Sequence, residues 1–129
     1  MRVIIAGSRT INNYNTVKRA ISDSGFDITT VISGGANGVD KIGEIWAEEN
    51  EIPIVEKLAR WDDVGVKGAV IKTNKYGKKY NAKAGITRNE EMAKVADALI
   101  AVWDGESVGT ANMIETAQKY DLQIYIHYV

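Results

Sequence analysis

Short apolar runs, each closed by glycine or a polar turn, alternate along the chain with stretches whose apolar residues recur every three or four positions. Arg2-Val3-Ile4-Ile5-Ala6 stops at Gly7, and an unbroken apolar run of this length reads as a strand covered on both faces, as in a parallel sheet. Thr30-Val31-Ile32-Ser33 stops at Gly34-Gly35, and Ile52-Pro53-Ile54-Val55-Glu56 precedes a basic stretch. The run from Ala98 to Trp103 stops at Asp104-Gly105, and Leu122-Gln123-Ile124-Tyr125-Ile126 nearly closes the chain. Helical spacing joins Tyr14, Val17, Ile21 and Ser24; Val39, Ile42, Gly43 and Trp46; Met92, Val95 and Ala96; and Thr110, Met113, Ile114 and Ala117. Strands alternating with helices predict a parallel sheet with helices on both faces, because right-handed crossovers leave few other arrangements. Pro53, the only proline, places the third strand at the sheet edge, where a missing amide costs least. One long connection runs from about residue 61 to 83. Within it Val70-Ile71-Lys72-Thr73 and Lys78-Lys79-Tyr80-Asn81 flank Asn74-Lys75-Tyr76-Gly77, which predicts a small β-hairpin.

The 129 residues are the usual length of one domain, so residues 1–129 are read as a single unit with an insertion at about 61–83. A core of that size needs no covalent cross-links. Cysteine is absent and His127 is the only histidine, which removes thiol nucleophiles and thiolate zinc sites and leaves no metal or cofactor to expect. His127 itself is given no role. No apolar run approaches the roughly 20 residues of a membrane helix, and the apolar residues after Arg2 are too few for a secretory signal. The expectation is a soluble, cytoplasmic protein with no membrane partner, in the host cytoplasm if the chain is viral. Net charge is −1, but residues 60–83 carry seven basic side chains against Asp62 and Asp63. That leaves 9 basic and 15 acidic residues elsewhere, so one segment holds the positive charge.

In an open α/β sheet, ligands sit beyond the carboxyl ends of the strands, where the strand order reverses. The unusual residues fall at those ends. Gly7, Ser8 and Arg9 follow the first strand; Gly34, Gly35, Ala36, Gly38 and Asp40 follow the second. Arg88 and Asn89 precede the third helix, and Asp104, Gly105, Ser107, Gly109 and Thr110 follow the fourth strand. Glycine lets backbone approach a ligand, helix N-termini offer unpaired amides to phosphate, and arginine supplies paired donors. Each feature has a plainer reading: glycines for packing, Asp104 and Ser107 for turn and cap, arginines for surface ion pairs. It is their shared edge that predicts a phosphate-containing ligand. Trp46 reads as core, Trp61 and Trp103 lie nearer the crevice, and Asp40, Glu44 and Glu48 at four-residue spacing read as a solvated helical stripe.

The segments Val3-Ile4-Ile5-Ala6-Gly7-Ser8-Arg9, Ser33-Gly34-Gly35-Ala36-Asn37-Gly38-Val39-Asp40, Arg88-Asn89-Glu90-Glu91-Met92 and Asp104-Gly105-Glu106-Ser107-Val108-Gly109-Thr110 resemble the YspA-like branch of the SLOG superfamily. The resemblance spans nearly the whole chain and keeps motif order. It implies a Rossmann-like three-layer α/β/α fold with a five-stranded parallel sheet ordered 3-2-1-4-5, and a nucleotide at the ends of the first and fourth strands. The superfamily includes DprA, the LONELY GUY phosphoribohydrolases and sensors of cyclic ADP-ribose, so the implied function is binding a nucleotide or NAD-derived signalling nucleotide of the ADP-ribose class. The binder would sequester or sense it without turnover. The alternative is an enzyme acting on the N-glycosidic bond of a nucleotide, with Arg88 holding phosphate and Glu106 or Asp104 as its acid. Arg88 and Met92 match the hydrolases' RKxxM-like motif and Gly109-Thr110 matches their GT, but the position of their glutamate is Met113. Glu115, two residues on, projects about 200° away around the helix and cannot substitute. The resemblance also implies a homo-oligomer, a dimer or tetramer. Nucleic acid is not expected as a partner, because an acidic chain with one basic segment makes a poor electrostatic groove.

Overall fold

The computed structural model describes residues 1–61, 65, 69–73, 76–81 and 83–129. Elements follow as β1 (Arg2–Gly7), α1 (Tyr14–Ser24), β2 (Thr30–Ser33), α2 (Val39–Glu49), β3 (Ile54–Glu56), β4 (Ile71–Thr73), β5 (Lys79–Asn81), α3 (Ala84–Val95), β6 (Ala98–Trp103), α4 (Val108–Lys119) and β7 (Gln123–Tyr128). Five strands form one parallel sheet in the order β3-β2-β1-β6-β7. With its strands counted alone this is the expected order 3-2-1-4-5, because β4 and β5 form a separate antiparallel ribbon. The sheet's direction of growth reverses between β1 and β6.

Alternation along each strand sorts the core into two halves. Val3 and Ile5 of β1 join Val31, Ile100 and Val102 beneath α1 and α2, whose Val17, Ile21, Val39 and Ile42 fill that face. Ile4 and Ala6 join Ile32, Leu99 and Ala101 under α3 and α4, with Met92 and Met113 packed between. Both halves are dry at their centres: Ile4, Ile5, Leu99 and Ile100 have no exposed surface. This is why the runs of β1 and β6 are apolar at every position.

The short edge strand β3 follows Pro53, as expected, and the ribbon matches the expected hairpin, whose Asn74 and Lys75 lie outside the described residues. Two boundaries differ. β7 continues to Tyr128, so His127 stands within a strand, paired with Val102. Helix α3 begins at Ala84 rather than after Asn89, which puts Arg88 and Asn89 on a helix and not in a loop. Gly85, Ile86 and Thr87 are weak helix formers. Tertiary contacts decide the matter: Asn81 Oδ1 accepts the Lys83 N–H at 3.0 Å and Trp61 packs over Gly85.

Candidate functional site

A cavity of about 250 Å³ opens at the carboxyl ends of β1 and β6, where the strand order reverses. Its floor is Ala6, Gly7, Met92 and Met113, and its walls come from the loops after β1, β2 and β6 and from α3. Arg9, Ala36, Asp40, Arg88, Asn89, Ser107, Gly109 and Thr110 line it, so most of the expected ligand-binding residues converge there. Trp61 closes one side.

Arg88 is the best-positioned donor. Its Nη1 donates to the Gly34 carbonyl at 2.9 Å and its Nε to Asn89 Oδ1 at 3.0 Å. Asn89 is buried and in turn donates to Asn112 Oδ1 at 2.9 Å, tying α3 to α4. Nη2 keeps no hydrogen-bond partner among the described residues. Burial lowers the Arg88 pKa from its ordinary value, Asp40 opposes that shift and Arg9 adds to it. The guanidinium is therefore a partly desolvated cation, held in place and not cancelled by a direct ion pair among the described residues.

Gly34 exists for that guanidinium: a Cβ there would lie 2.5 Å from Arg88 Nη1 and 2.9 Å from Asp40 Oδ2. Gly38 serves the backbone. It holds φ at +79° while a side chain would meet the Ser8 and Arg9 carbonyls within 2.6 Å, so the β1 and β2 loops can touch only through glycine.

The reading of Asp40, Glu44 and Glu48 as one solvated stripe is corrected. Asp40 is buried against the cavity, Glu44 is half-buried and only Glu48 is exposed. Asp40 Oδ2 accepts the Ala36 N–H at 3.3 Å, bracing the loop after β2. Burial pushes its carboxyl up to about 6, against the opposing pull of the Ala36 amide, Arg88 and the Gly7 amide, with Glu44 adding a smaller upward push. The spacing of the three acids was legible, but not the close packing of the first turn of α2 beside β1.

The remaining expected residues act from behind. Ser8 is fully buried, its Oγ accepting the Asp104 N–H at 3.2 Å. Asp104 Oδ1 accepts the N–H groups of Ser107 and Glu106 at 2.8 and 2.9 Å, which hold its pKa below the ordinary carboxylate value. Asp104, Gly105 and Glu106 are exposed, and none of them, nor Ser8, Gly34, Gly35 or Gly38, lines the cavity. This loop instead aims the first turn of α4 at the cavity, with Gly109 and Thr110 in its wall and the positive end of the helix dipole toward it. Trp103 is also outside, its indole N–H donating to the Ser107 carbonyl at 3.1 Å. Asn112 was not singled out from the sequence, since its partner lies on another helix.

Comparison with known proteins fits this architecture. The YspA, cpYpsA-related SLOG family matches residues 1–63. The Gene 61 protein of Mycobacterium phage D29 is 33% identical over 131 residues, covering 95% of this chain and 93% of that protein. This chain belongs to the YspA, cpYpsA-related SLOG family. Among solved structures, DNA processing protein A (DprA) of Streptococcus pneumoniae superposes with a TM-score of 0.68 at 17% identity, over 97% of this SLOG chain and 49% of DprA. DprA of Helicobacter pylori, solved for its single-stranded DNA binding mode, gives 0.61 at 20% identity, over 98% of this chain and 64% of that one. The chain thus spans about half to under two thirds of these DprA chains, and what they share is the fold.

The expectation that nucleic acid is not a partner is corrected by that second likeness, since the same fold serves a protein described by its single-stranded DNA binding. The physical error lay in averaging. A net charge of −1 describes the chain, whereas a polyanion meets only the local field of Arg9, Arg88 and the basic segment. Of that segment, Lys67, Lys75, Asp62 and Asp63 lie outside the described residues. Among the described residues no helix is long and apolar enough to cross a membrane.

Proposed function

We propose that this SLOG protein binds a phosphate-bearing nucleotide unit in the cavity at the β1–β6 switch point, of the kind found in NAD-derived signals such as ADP-ribose, and holds it without cleaving it. One observation carries the reading: Arg9 and a braced, partly desolvated Arg88 line the same cavity as the first turn of α4. Phosphate oxygens fit that donor set, with Nη2 of Arg88 available. At about 250 Å³ the cavity falls below the roughly 300–1,000 Å³ that encloses a drug-sized ligand, so it accepts one nucleotide unit and leaves the rest of a larger ligand at the mouth beside Trp61.

Retention without turnover is supported by Met113, which lines the cavity at the position of the hydrolases' glutamate. Glu106, the loop acid considered for cleavage, is exposed and outside the cavity. Glycosidic cleavage needs an acid at the bond. Among the described residues Asp40 is the carboxyl in the cavity wall, and its Oδ2 is engaged by the Ala36 amide.

Titration calorimetry with AMP and ADP-ribose tests the proposal. Hydrogen bonds to a charged group contribute about 1.5–3 kcal/mol, so Arg88→Ala should weaken binding roughly 10- to 150-fold. Unchanged affinity in Arg88→Ala would remove the site assignment.

A further inference from the structure

The two edges of the main sheet differ in kind. β3 is three residues long, follows Pro53 and ends on exposed Glu56, and each of these discourages a further strand. β7 is six residues long, with no charged residue and no proline. Among the described residues no strand pairs with its outer side. The inner hydrogen bonds fix what that outer side presents. The Gln123 N–H donates to the Asp97 carbonyl at 3.2 Å and the Val129 N–H to the Trp103 carbonyl at 2.9 Å, so residues 123, 125, 127 and 129 turn their backbone toward β6. Backbone groups of successive strand residues point to opposite sides, so Ile124, Ile126 and Tyr128 aim their N–H and C=O groups outward. Ile124 and Ile126 are half-buried against the core beneath α3 and α4, while Tyr128 is 66% exposed with its ring 5.8 Å from that of Trp103. A long, uncharged, apolar edge is a template for another strand, and native proteins cover it.

We infer that the β7 edge binds a second copy of this chain, the two β7 strands running antiparallel about a two-fold axis at Ile126, so that two five-stranded sheets continue as one. Self-complementarity selects the occupant. A two-fold axis normal to the sheet keeps every side chain on its own face, so it must pass through a residue and not between two. At Ile126 it pairs Ile126 with Ile126 of the second copy and Ile124 with Tyr128, each pair exchanging both N–H···O=C bonds, and every outward group of β7 is satisfied. At Tyr125 it would set Tyr128 against Leu122, whose N–H is already given to the Ala117 carbonyl at 3.0 Å. No like charges meet along the seam, because β7 carries none. The protected β3 edge offers no such seam, so growth stops at two copies. Antiparallel copies turn the carboxyl ends of their sheets in opposite directions, so the two cavities open at opposite ends and each fills by itself.

Sedimentation equilibrium on the full chain tests the assignment, and should give twice the 14.2 kDa mass of one chain. Because the chain has no cysteine, a single introduced thiol then reads the register. Hydrogen-bonded residues directly opposite each other lie about 5.5 Å apart at Cα, within the span of a disulfide, whereas the two copies of residue 123 would be offset by about six positions, or roughly 20 Å. Ile126→Cys should therefore form a covalent dimer on mild oxidation, and Gln123→Cys should stay monomeric under the same treatment in denaturing gels. Tyr128→Lys, at an exposed position, should keep the fold by circular dichroism and raise the dimer dissociation constant roughly 2- to 30-fold, as the loss of two cross-strand pairs requires. A monomeric parent protein overturns the assignment and leaves the edge to a strand of another protein. A dimer that Gln123→Cys cross-links as readily as Ile126→Cys, or whose affinity Tyr128→Lys leaves unchanged, also overturns it, since the two copies would then meet elsewhere. None of these outcomes touches the cavity reading, which the ligand titrations decide separately.

Discussion

Replacing Asp40 by Asn isolates the electrostatic strain built into the cavity. The Asp40 carboxyl is 4% exposed and ionises at about 6 in the folded protein, against 3.8 ordinarily, chiefly because burial disfavours its charge. A folded-state pKa above the unfolded one means that the native protein binds the proton more readily, so stability falls as pH rises from about 4 to 6. A gap of about two pH units, at about 1.4 kcal/mol each, makes the lost stability about 3 kcal/mol above pH 7. Asparagine keeps the shape and the acceptor for the Ala36 amide but cannot ionise. Glu44, whose pKa burial also raises, is present in both proteins and largely cancels in the difference. Urea unfolding from pH 4 to 8 should therefore show Asp40→Asn gaining about 2.4 kcal/mol on the parent protein across that range, the first part of the loss having occurred below pH 4, whatever their offset at pH 4. A difference that stays constant within about 0.5 kcal/mol, well below the predicted shift, would refute the burial of a strained carboxyl.

Gly34→Ala should leave a folded protein that has lost ligand affinity to about the same extent as Arg88→Ala, because its Cβ would occupy space 2.5 Å from Arg88 Nη1; calorimetry on the two proteins side by side checks this, and wild-type affinity in Gly34→Ala would contradict it. Leu99→Ala, at a fully buried position in the central strand β6, should cost about 2–5 kcal/mol in denaturant unfolding. A cost below about 1 kcal/mol would mean that the α3–α4 side of the sheet is not tightly packed.

Much of the fold was legible because the strands of a doubly covered sheet are unusual in sequence. Val3-Ile4-Ile5-Ala6 and Ala98 to Val102 are apolar at every position, and glycine marks the turn after β1 and β2. The start of α3 was hidden because Gly85, Ile86 and Thr87 do not read as helix, and the contact that orders them comes from Trp61, more than twenty residues earlier. The site was legible as loops but not as contacts. Arg88 could be singled out, whereas its bracing by the Gly34 carbonyl and by Asn89 and Asn112 depends on two helices and a loop meeting in space. Asp40 was misread for the same reason: four-residue spacing reports a helical face, and only the packing of α2 on β1 decides whether that face meets water. Bulk charge was too coarse to exclude nucleic acid, since the basic residues are concentrated in one segment.

The most direct measurement is to incubate the protein with AMP, NAD, ADP-ribose and cyclic ADP-ribose isomers, remove it by ultrafiltration, and chromatograph the filtrate before and after the retained protein is denatured. Specific retention predicts that one compound disappears from the filtrate and returns intact on denaturation, and that the Arg88→Ala protein leaves it in the filtrate. A free base or sugar phosphate in its place would contradict retention and establish turnover, and a filtrate unchanged for every compound would contradict the cavity's assignment to this class of ligand.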